Sequence, residues 1–415
     1  MDRYKRVRGI HDIMPDETGK WQSAEDILRN SAELYGYREI RPPVIEDRAL
    51  FERSIGISSD IISKEIYAFQ DRKGRNLALR PEGTASVVRA FIESELAAGG
   101  RITRLYYYGP MFRYDRPQKG RYRQFYQFGV ELLGGTHPFF DGETVALLDF
   151  MVKKLGISDY HFSINTLGCL KCKSAYTETV RKMISRKEAT LCEDCRIRIR
   201  TSPLRVFDCK NAGCRETVSG IPAIAEFLCG ECLSHFAQFE DYLKKAGVPC
   251  KKQPYLVRGL DYYTRTVFEL YTKDEENAVA AGGRYDSLVR DLGGPDIPSV
   301  GFAIGMERLM SLVNFNPVRP ETIYFAAMGE NARIEGISVM ATLRENGFIV
   351  ETDYEEKGLR AHLKTADRSG AKWCIIIGER EIEKGEFILR NMLTGEQENL
   401  KVHNYMERIR ELVKC

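Results

Sequence analysis

Four separated segments of this chain concentrate arginine, glutamate, glutamine and tyrosine beside glycine. Residues 79–84 (LRPEGT) end an extended run and open a helical one, with Thr84 placed to cap the helix. Residues 105–132 (LYYYGPMFRYDRPQKGRYRQFYQFGVEL) supply Arg113, Gln127 and Glu131. Residues 256–269 (LVRGLDYYTRTVFE) supply Arg258, Tyr262, Tyr263 and Arg265, and residues 280–289 (AAGGRYDSLV) supply Arg284 and Tyr285 behind two glycines. Any one of these could be surface ion pairs around a turn. All four in one chain point to a polar site. Arginine keeps its charge and binds phosphate oxygens in pairs through a planar fork. Arg308 adds to this, because it follows Gly305 in the first turn of a helix, where the macrodipole favours negative charge. An arginine there is expected to face an anion such as phosphate, unless it pairs with Glu307 or a distant carboxylate. Arg113, Arg258 and Arg308 together suit a polyphosphate. There is no GxxxxGK[ST] segment, which excludes a Walker-type site.

These residues need elements to hold them. In the second strand of the 105–132 hairpin, Arg123, Phe125, Gln127, Gly129 and Glu131 share one face, and Gln124, Tyr126, Phe128, Val130 and Leu132 share the other. In the first strand Met111, Arg113 and Asp115 oppose Phe112 and Tyr114. The apolar face is expected to pack on a core and the polar face to open to solvent, as a ligand floor or as plain scaffold. A helical stripe over 16–35 ends at Gly36, a helix follows Thr84, and extended runs fall near 39–45, 76–80, 105–114, 122–132 and 255–271. Residues 300–310 read as strand, tight glycine turn and helix. The pattern predicts an α+β fold: an antiparallel sheet with helices, interrupted by a Cys-rich, mostly helical insertion. The expected domains are 1–168 with 251–318 as one core, 169–250 as the insertion, and 322–415 as a small α/β domain after a proline-bearing linker at 314–321.

A chain of 415 residues calls for two or three domains. Its net charge of +3 assigns any nucleic-acid affinity to local patches, such as the loop with Arg116, Lys119, Arg121 and Arg123. No apolar run is long enough to span a bilayer, and the first residues lack a signal core, so a cytoplasmic, non-membrane protein is expected. A disulfide framework is then improbable for the 11 cysteines. Cys169, Cys172, Cys192, Cys195, Cys209, Cys214, Cys229 and Cys232 have the paired spacing of tetrahedral zinc sites. Metal-free thiols and an iron–sulfur cluster are the alternatives, and spacing leaves the pairing open. Because the polar segments lie outside this cluster, chelation is expected to loosen the insertion before it reaches the chemistry.

Together these motifs resemble the class II aminoacyl-tRNA synthetases, and within them the histidyl-tRNA synthetase family, over nearly the whole chain. IRPPVIED (40–47) resembles the first class motif, whose proline, here Pro43, lies at a dimer interface. GPMFRYDRPQKGRYRQFYQFGVE and GFAIGMERL are similar to the second and third motifs, and RGLDYYTRTVFE and AGGRYDSLV to the two histidine-specific signatures. One departure is Asp115, where the second motif usually carries glutamate against the adenine amino group. The resemblance implies histidine–tRNA ligation with ATP and Mg2+, by a homodimer acting on tRNA(His). It places Arg113, Arg258 and Gln127 at the chemistry, with both arginines at the α-phosphate and Arg121 and Arg308 at the β- and γ-phosphates. It further implies Glu82, Gly83, Thr84 and Gln127 around the histidine amine, and Glu131, Tyr262, Tyr263 and Tyr285 around the ring. Arg116, Gln118 and Lys119 would meet the tRNA acceptor end, and residues 322–415 the anticodon. Two alternatives are a non-catalytic regulatory subunit of histidine biosynthesis and a zinc-dependent RNA-binding protein with vestigial motifs. The retained arginines and the presence of 322–415 count against the first.

Overall fold

The computed structural model describes residues 4–56, 59–96, 102–118, 120–273, 278–314, 321–353, 355 and 357–413. The chain divides into two compact units, residues 1–315 and 316–415. In the first unit the strands are β1 (Arg38–Glu39), β2 (Ile45–Asp47), β3 (Ala68–Gln70), β4 (Asn76–Leu79), β5 (Thr103–Phe112), β6 (Gln124–Leu133), β7 (Tyr160–Thr166), β8 (Cys250–Lys252), β9 (Thr264–Thr272), β10 (Ala280–Tyr285) and β11 (Ser299–Gly305). Eight of them form one sheet in the order β1-β5-β6-β11-β10-β9-β7-β8, antiparallel except at its two ends, and β2-β4-β3 form a small second sheet. The helices are α1 (Pro15–Leu34), α2 (Arg48–Ile55), α3 (Thr84–Glu93), α4 (Phe139–Lys154), α5 (Leu170–Ser185), α6 (Glu193–Thr201), α7 (Ala212–Val218), α8 (Gly230–Lys245), α9 (Leu288–Asp291) and α10 (Met306–Leu312).

α1 begins well for simple reasons: Pro15 sits in its first turn and Asp16 and Glu17 complement the dipole. Its stripe of Trp21, Ala24, Leu28 and Ala32 packs with α4 and α8 on one face of the large sheet, against Phe128, Val130, Leu132, Phe268, Val300 and Phe302. The opposite sheet face is covered too. There Leu105, Tyr107, Met111, Leu133 and Val267 meet α3, α9, the 256–263 segment and the insertion. The polar face is therefore open only in part: Phe125 and Gln127 are half-buried at the cleft, and Glu131 is 1% exposed. Period-2 alternation separates two faces but does not reveal what covers each.

The hairpin registers as expected, with Gly129 opposite Tyr107 and Gln127 opposite Gly109. Two other expectations need adjustment. Residues 255–263 are irregular, and the strand begins only at Thr264. β11 runs directly into α10 with Gly305 at φ −79, so no left-handed glycine turn separates them. The insertion lies between β7 and β8, two parallel neighbours at one edge of the sheet.

The second unit carries β12 (Thr322–Ala327), α11 (Glu330–Glu345), β13 (Ile349–Thr352), α12 (Leu359–Ser369), β14 (Trp373–Ile377), α13 (Glu379–Lys384), β15 (Glu386–Asn391), β16 (Gln397–Lys401) and α14 (Tyr405–Leu412). Its sheet order is β13-β12-β14-β15-β16. α13 (EREIEK) and β16 (QENLK) went unread because their composition is nearly all polar. Most of the 314–321 linker lies outside the described residues.

Candidate active site

The cleft is hollowed out of the sheet by small residues. Glu131, Gly301, Gly283 and Val267 sit side by side across four strands, as do Gly129, Ala303, Ala281 and Glu269. A Cβ at Gly301 would collide with the Glu131 carboxylate, and one at Gly129 or Gly83 with the Tyr107 ring. The result is a cleft of about 580 Å³ lined by Glu82, Thr84, Arg113, Asp115, Arg121, Gln127, Glu131, Arg258, Tyr262, Tyr263, Tyr285 and Arg308, among others. Of the residues expected at the small-molecule site, Gly83 alone stays out of the lining. It instead leaves room for Tyr107.

At one end, two buried carboxylates face hydroxyls. The Thr84 hydroxyl donates to Glu131 Oε1 at 2.6 Å, and the Tyr285 hydroxyl donates to Oε2. Burial pushes the Glu131 carboxyl up to about 8, against those two hydrogen bonds. Burial also raises Glu82, although it accepts the N–H groups of Thr84 and Ala85 at 2.7 and 2.9 Å. Glu82, not Thr84, therefore caps α3, because the Thr84 hydroxyl is drawn to Glu131. Gln127 Oε1 is buried and has no partner among the described residues. Tyr262 and Tyr263 close this end, with ring centroids 4.6 Å apart.

At the other end lie the cations. Arg113, in the lining, donates from Nε to the Pro81 carbonyl at 2.9 Å, and burial lowers its pKa against the pull of Glu65 and Glu82. Arg258 pairs with Glu269 and lies 5.7 Å from the Tyr263 ring centroid. Burial opposes its charge most strongly, but Glu269, Tyr263, Asp208 and Tyr262 together outweigh it and raise its pKa. Arg121 pairs with Asp115 at 3.3 Å. Arg308 donates from Nε to the Gly120 carbonyl at 3.1 Å and from Nη1 to the Ala278 carbonyl at 2.6 Å. Two carbonyls from distant segments thus stabilise it at the helix start, so its position does not by itself require an anion.

Arg116 and Gln118 lie on the loop beside the cleft and do not line it, and Lys119 lies outside the described residues. Arg284 is not a cleft residue. It is buried on the opposite face against Asp141, with Nε at 3.0 Å. Arg265, at φ 45, turns to Asp286 at 3.4 Å. Conversely, sequence reasoning missed Glu269, Asp60, Glu65, Arg198, Arg205, Asp208 and Glu307, all in the lining. Burial raises Glu307 to about 7 and Asp208 to about 6. A signal existed for Glu269, a lone charge in the apolar strand TVFELY. None existed for the insertion residues.

The cysteines form two sets. Cys169, Cys172, Cys229 and Cys232 converge, as do Cys192, Cys195, Cys209 and Cys214, and in each set all sulfurs lie within 4.8 Å of one another. The Sγ separations of 3.6 Å (Cys169–Cys172) and 3.8 Å (Cys192–Cys209) are far beyond a disulfide. They match the ~3.8 Å edge of a tetrahedron with metal–sulfur bonds of about 2.3 Å. Backbone N–H groups of Cys169, Cys192 and Cys229 donate to Cys232, Cys214 and Cys172 sulfurs at 3.1, 3.3 and 3.2 Å, which suits thiolates.

Comparison with known proteins resolves what this cleft belongs to. Residues 9–309 match the family model for histidyl-tRNA synthetase, and residues 323–412 match that for an anticodon-binding domain. The chain belongs to the histidyl-tRNA synthetase family. A histidine--tRNA ligase of Trichlorobacter lovleyi is 45% identical over 395 residues, 94% of each chain, and one of Halothermothrix orenii is 41% identical over 416 residues, 99% of each. The apo histidyl-tRNA synthetase of S. aureus superposes with a TM-score of 0.83 at 33% identity, covering 98% of this chain and 99% of that one. An ATP phosphoribosyltransferase regulatory subunit/histidyl-tRNA synthetase from Bacillus halodurans matches at 21% identity and a TM-score of 0.68, a likeness of fold alone. Full-length similarity to the ligases removes the regulatory-subunit alternative. Among the described residues no helix is long and apolar enough to cross a membrane.

Proposed function

We propose that this cleft activates L-histidine with ATP and loads it onto tRNA(His), and that the chain works as a cytoplasmic homodimer. The observation that carries the reading is the cleft's polarity: a buried carboxylate–tyrosine pocket at one end and Arg113, Arg258, Arg121 and Arg308 at the other. In the first step the histidine carboxylate oxygen attacks the ATP α-phosphorus, and the bond to the β-phosphate oxygen breaks. Histidyl-adenylate forms and pyrophosphate, with its Mg2+, leaves. Negative charge grows on the α-phosphate oxygens, where Arg113 and Arg258 supply fixed positive charge. Arg308 and Arg121 hold the β- and γ-phosphates. In the second step a terminal ribose hydroxyl of the tRNA attacks the carbonyl carbon and AMP departs.

Glu82, Thr84 and Gln127 receive the α-ammonium group, and the unpartnered Gln127 Oε1 supplies an acceptor for it. Glu131, Tyr263 and Tyr285 meet the imidazole, with Tyr262 packed behind. A pocket that hydrogen-bonds both ring nitrogens rejects amino acids lacking them, because its buried groups would be left unpaired. Asp115 faces the adenine and Arg116, Gln118 and Lys119 the acceptor end, with the anticodon read by the second unit. Each cysteine set holds one structural Zn2+. ATP–pyrophosphate exchange across the twenty amino acids tests the assignment: exchange with histidine alone is expected, and exchange with another amino acid or with none would refute it.

A further inference from the structure

The insertion is part of the cleft wall. Arg198 and Arg205, carried between the ligands of the Cys192–Cys214 set, both grip Asp60, at 2.8 and 3.1 Å. Asp194 pairs with Lys64 at 2.9 Å. Asp60 precedes the turn Ile61–Glu65 and Lys64 lies within it, and its last residue, Glu65, lines the cleft. There the Glu65 carbonyl accepts the Tyr114 N–H at 2.6 Å, and the Glu65 carboxylate acts on the Arg113 charge.

A second limb starts at the other cysteine set. Lys173, next to Cys172, donates from Nζ to the carbonyls of Asp261 and Tyr263, both at 2.8 Å. From the first limb, Ser202, between Cys195 and Cys209, adds a hydroxyl that donates to the Asp261 carboxylate at 2.8 Å. These bonds hold the irregular 261–263 segment that brings Tyr263 into the pocket. The limbs have little packing of their own. α6 buries only Cys195 and Ile199, and helices of nine residues are marginal without tertiary support. Closing such segments by four thiolates on a metal supplies the missing order.

We propose that the two cysteine sites, filled with zinc, position the adenylation site: the Cys192–Cys214 site holds the Asp60–Glu65 turn against Arg113, and the Cys169–Cys232 site holds the Asp261–Tyr263 segment. This rests on the ligase reading, and it replaces the expectation that chelation loosens the insertion before it reaches the chemistry. Asp60, Lys64 and Lys173 are positioning residues, coupled to metal through the insertion and to substrate through Arg113 and Tyr263.

The test uses the full chain without tRNA, measuring histidine-dependent ATP–pyrophosphate exchange with separate KM values for ATP and histidine, alongside zinc content. Asp60→Ala is expected to weaken the use of ATP by about 10–10²-fold, the upper figure being what a misplacement of ~1 Å can cost, with the histidine KM nearly unchanged. Lys173→Met is expected to raise the histidine KM by about the same factor with the ATP KM nearly unchanged. Asp60→Glu and Lys173→Arg should recover part of each loss. Both Asp60→Ala and Lys173→Met keep all the cysteines, so they remain informative if cysteine variants fail to fold. Cys195→Ser should lose one zinc and copy Asp60→Ala, with a smaller rise in the histidine KM through Ser202, and Cys232→Ser should lose one zinc and copy Lys173→Met. Unchanged constants in both lysine and aspartate variants, equal movement of both KM values, or zinc-free protein after anaerobic purification would overturn the proposal. Absence of exchange in the parent chain would refute the ligase reading instead. Amide-exchange protection at 60–65 in Asp60→Ala and at 261–263 in Lys173→Met would then read the clamp alone.

Discussion

Replacing Glu131 with glutamine separates what the histidine pocket costs from what it does. The carboxyl is buried, and burial raises it from 4.5 to about 8. The folded chain therefore holds this proton more tightly than the unfolded chain does. The penalty of ionising it is absent well below pH 4.5, grows as pH rises from there to about 8, and is complete above. A rise of roughly 3.5 (8 − 4.5) at about 1.4 kcal/mol per pH unit sets a ceiling of ~5 kcal/mol above pH 8. Water reaching the cleft lowers this, and we expect about 2–3 kcal/mol. Glutamine keeps the shape without the charge, and the Thr84 and Tyr285 hydroxyls can turn to satisfy it. The assay is urea unfolding at pH 5, 7 and 9. The chain has two tryptophans, Trp21 and Trp373, so a Trp373→Phe background lets Trp21 alone report the first unit. Glu131→Gln should gain stability over its parent progressively from pH 5 to pH 9. Its histidine KM should rise by about 10–100-fold, since an amide cannot ionise to pair with the ring N–H. Parallel stability profiles for parent and variant would refute the reasoning.

Arg258→Ala should lower exchange by about 10²–10³-fold, as for loss of a donor to developing charge. It should also destabilise by about 2–3 kcal/mol by orphaning Glu269, and Glu269→Gln in that background should restore the melting temperature but not the exchange. Gly129→Ala places a methyl in the Tyr107 ring and should cost about 1–3 kcal/mol in thermal unfolding, with part recovered by Tyr107→Leu. Residues 321–415, expressed alone, should show a cooperative melt by circular dichroism, as expected of a unit with its own core around Phe325, Trp373 and Leu389.

The hairpin was legible because alternation fixes which side chains share a face, and the structure keeps that register. What lies over each face was not legible. The cover on Glu131 comes from α3, from the 256–263 segment and from strands more than 100 residues away, and no local period encodes it. Thr84 and Glu82 show the same limit at short range. Both could cap α3, and the choice falls to Glu82 because Glu131, 47 residues distant from Thr84, captures its hydroxyl. Arg284 sits in a segment with glycines and a tyrosine, yet Asp141 holds it on the far face. For the cysteines, spacing gave the ligand pairs but not the interleaving, which nests one set inside the loop closed by the other. Family resemblance supplied the residue roles in the cleft. It could not supply the contacts of Arg198, Arg205 and Lys173, which depend on how this insertion folds back.

The most direct test of the central claim is charging of a tRNA(His) transcript with labelled histidine, ATP and Mg2+ by the full-length chain. The account predicts acid-precipitable, base-labile histidyl ester at the tRNA 3′ end, formed about 10²–10³-fold more slowly in Arg258→Ala and absent when another amino acid replaces histidine. No ester with the parent chain, or equal ester formation with Arg258→Ala, would contradict it.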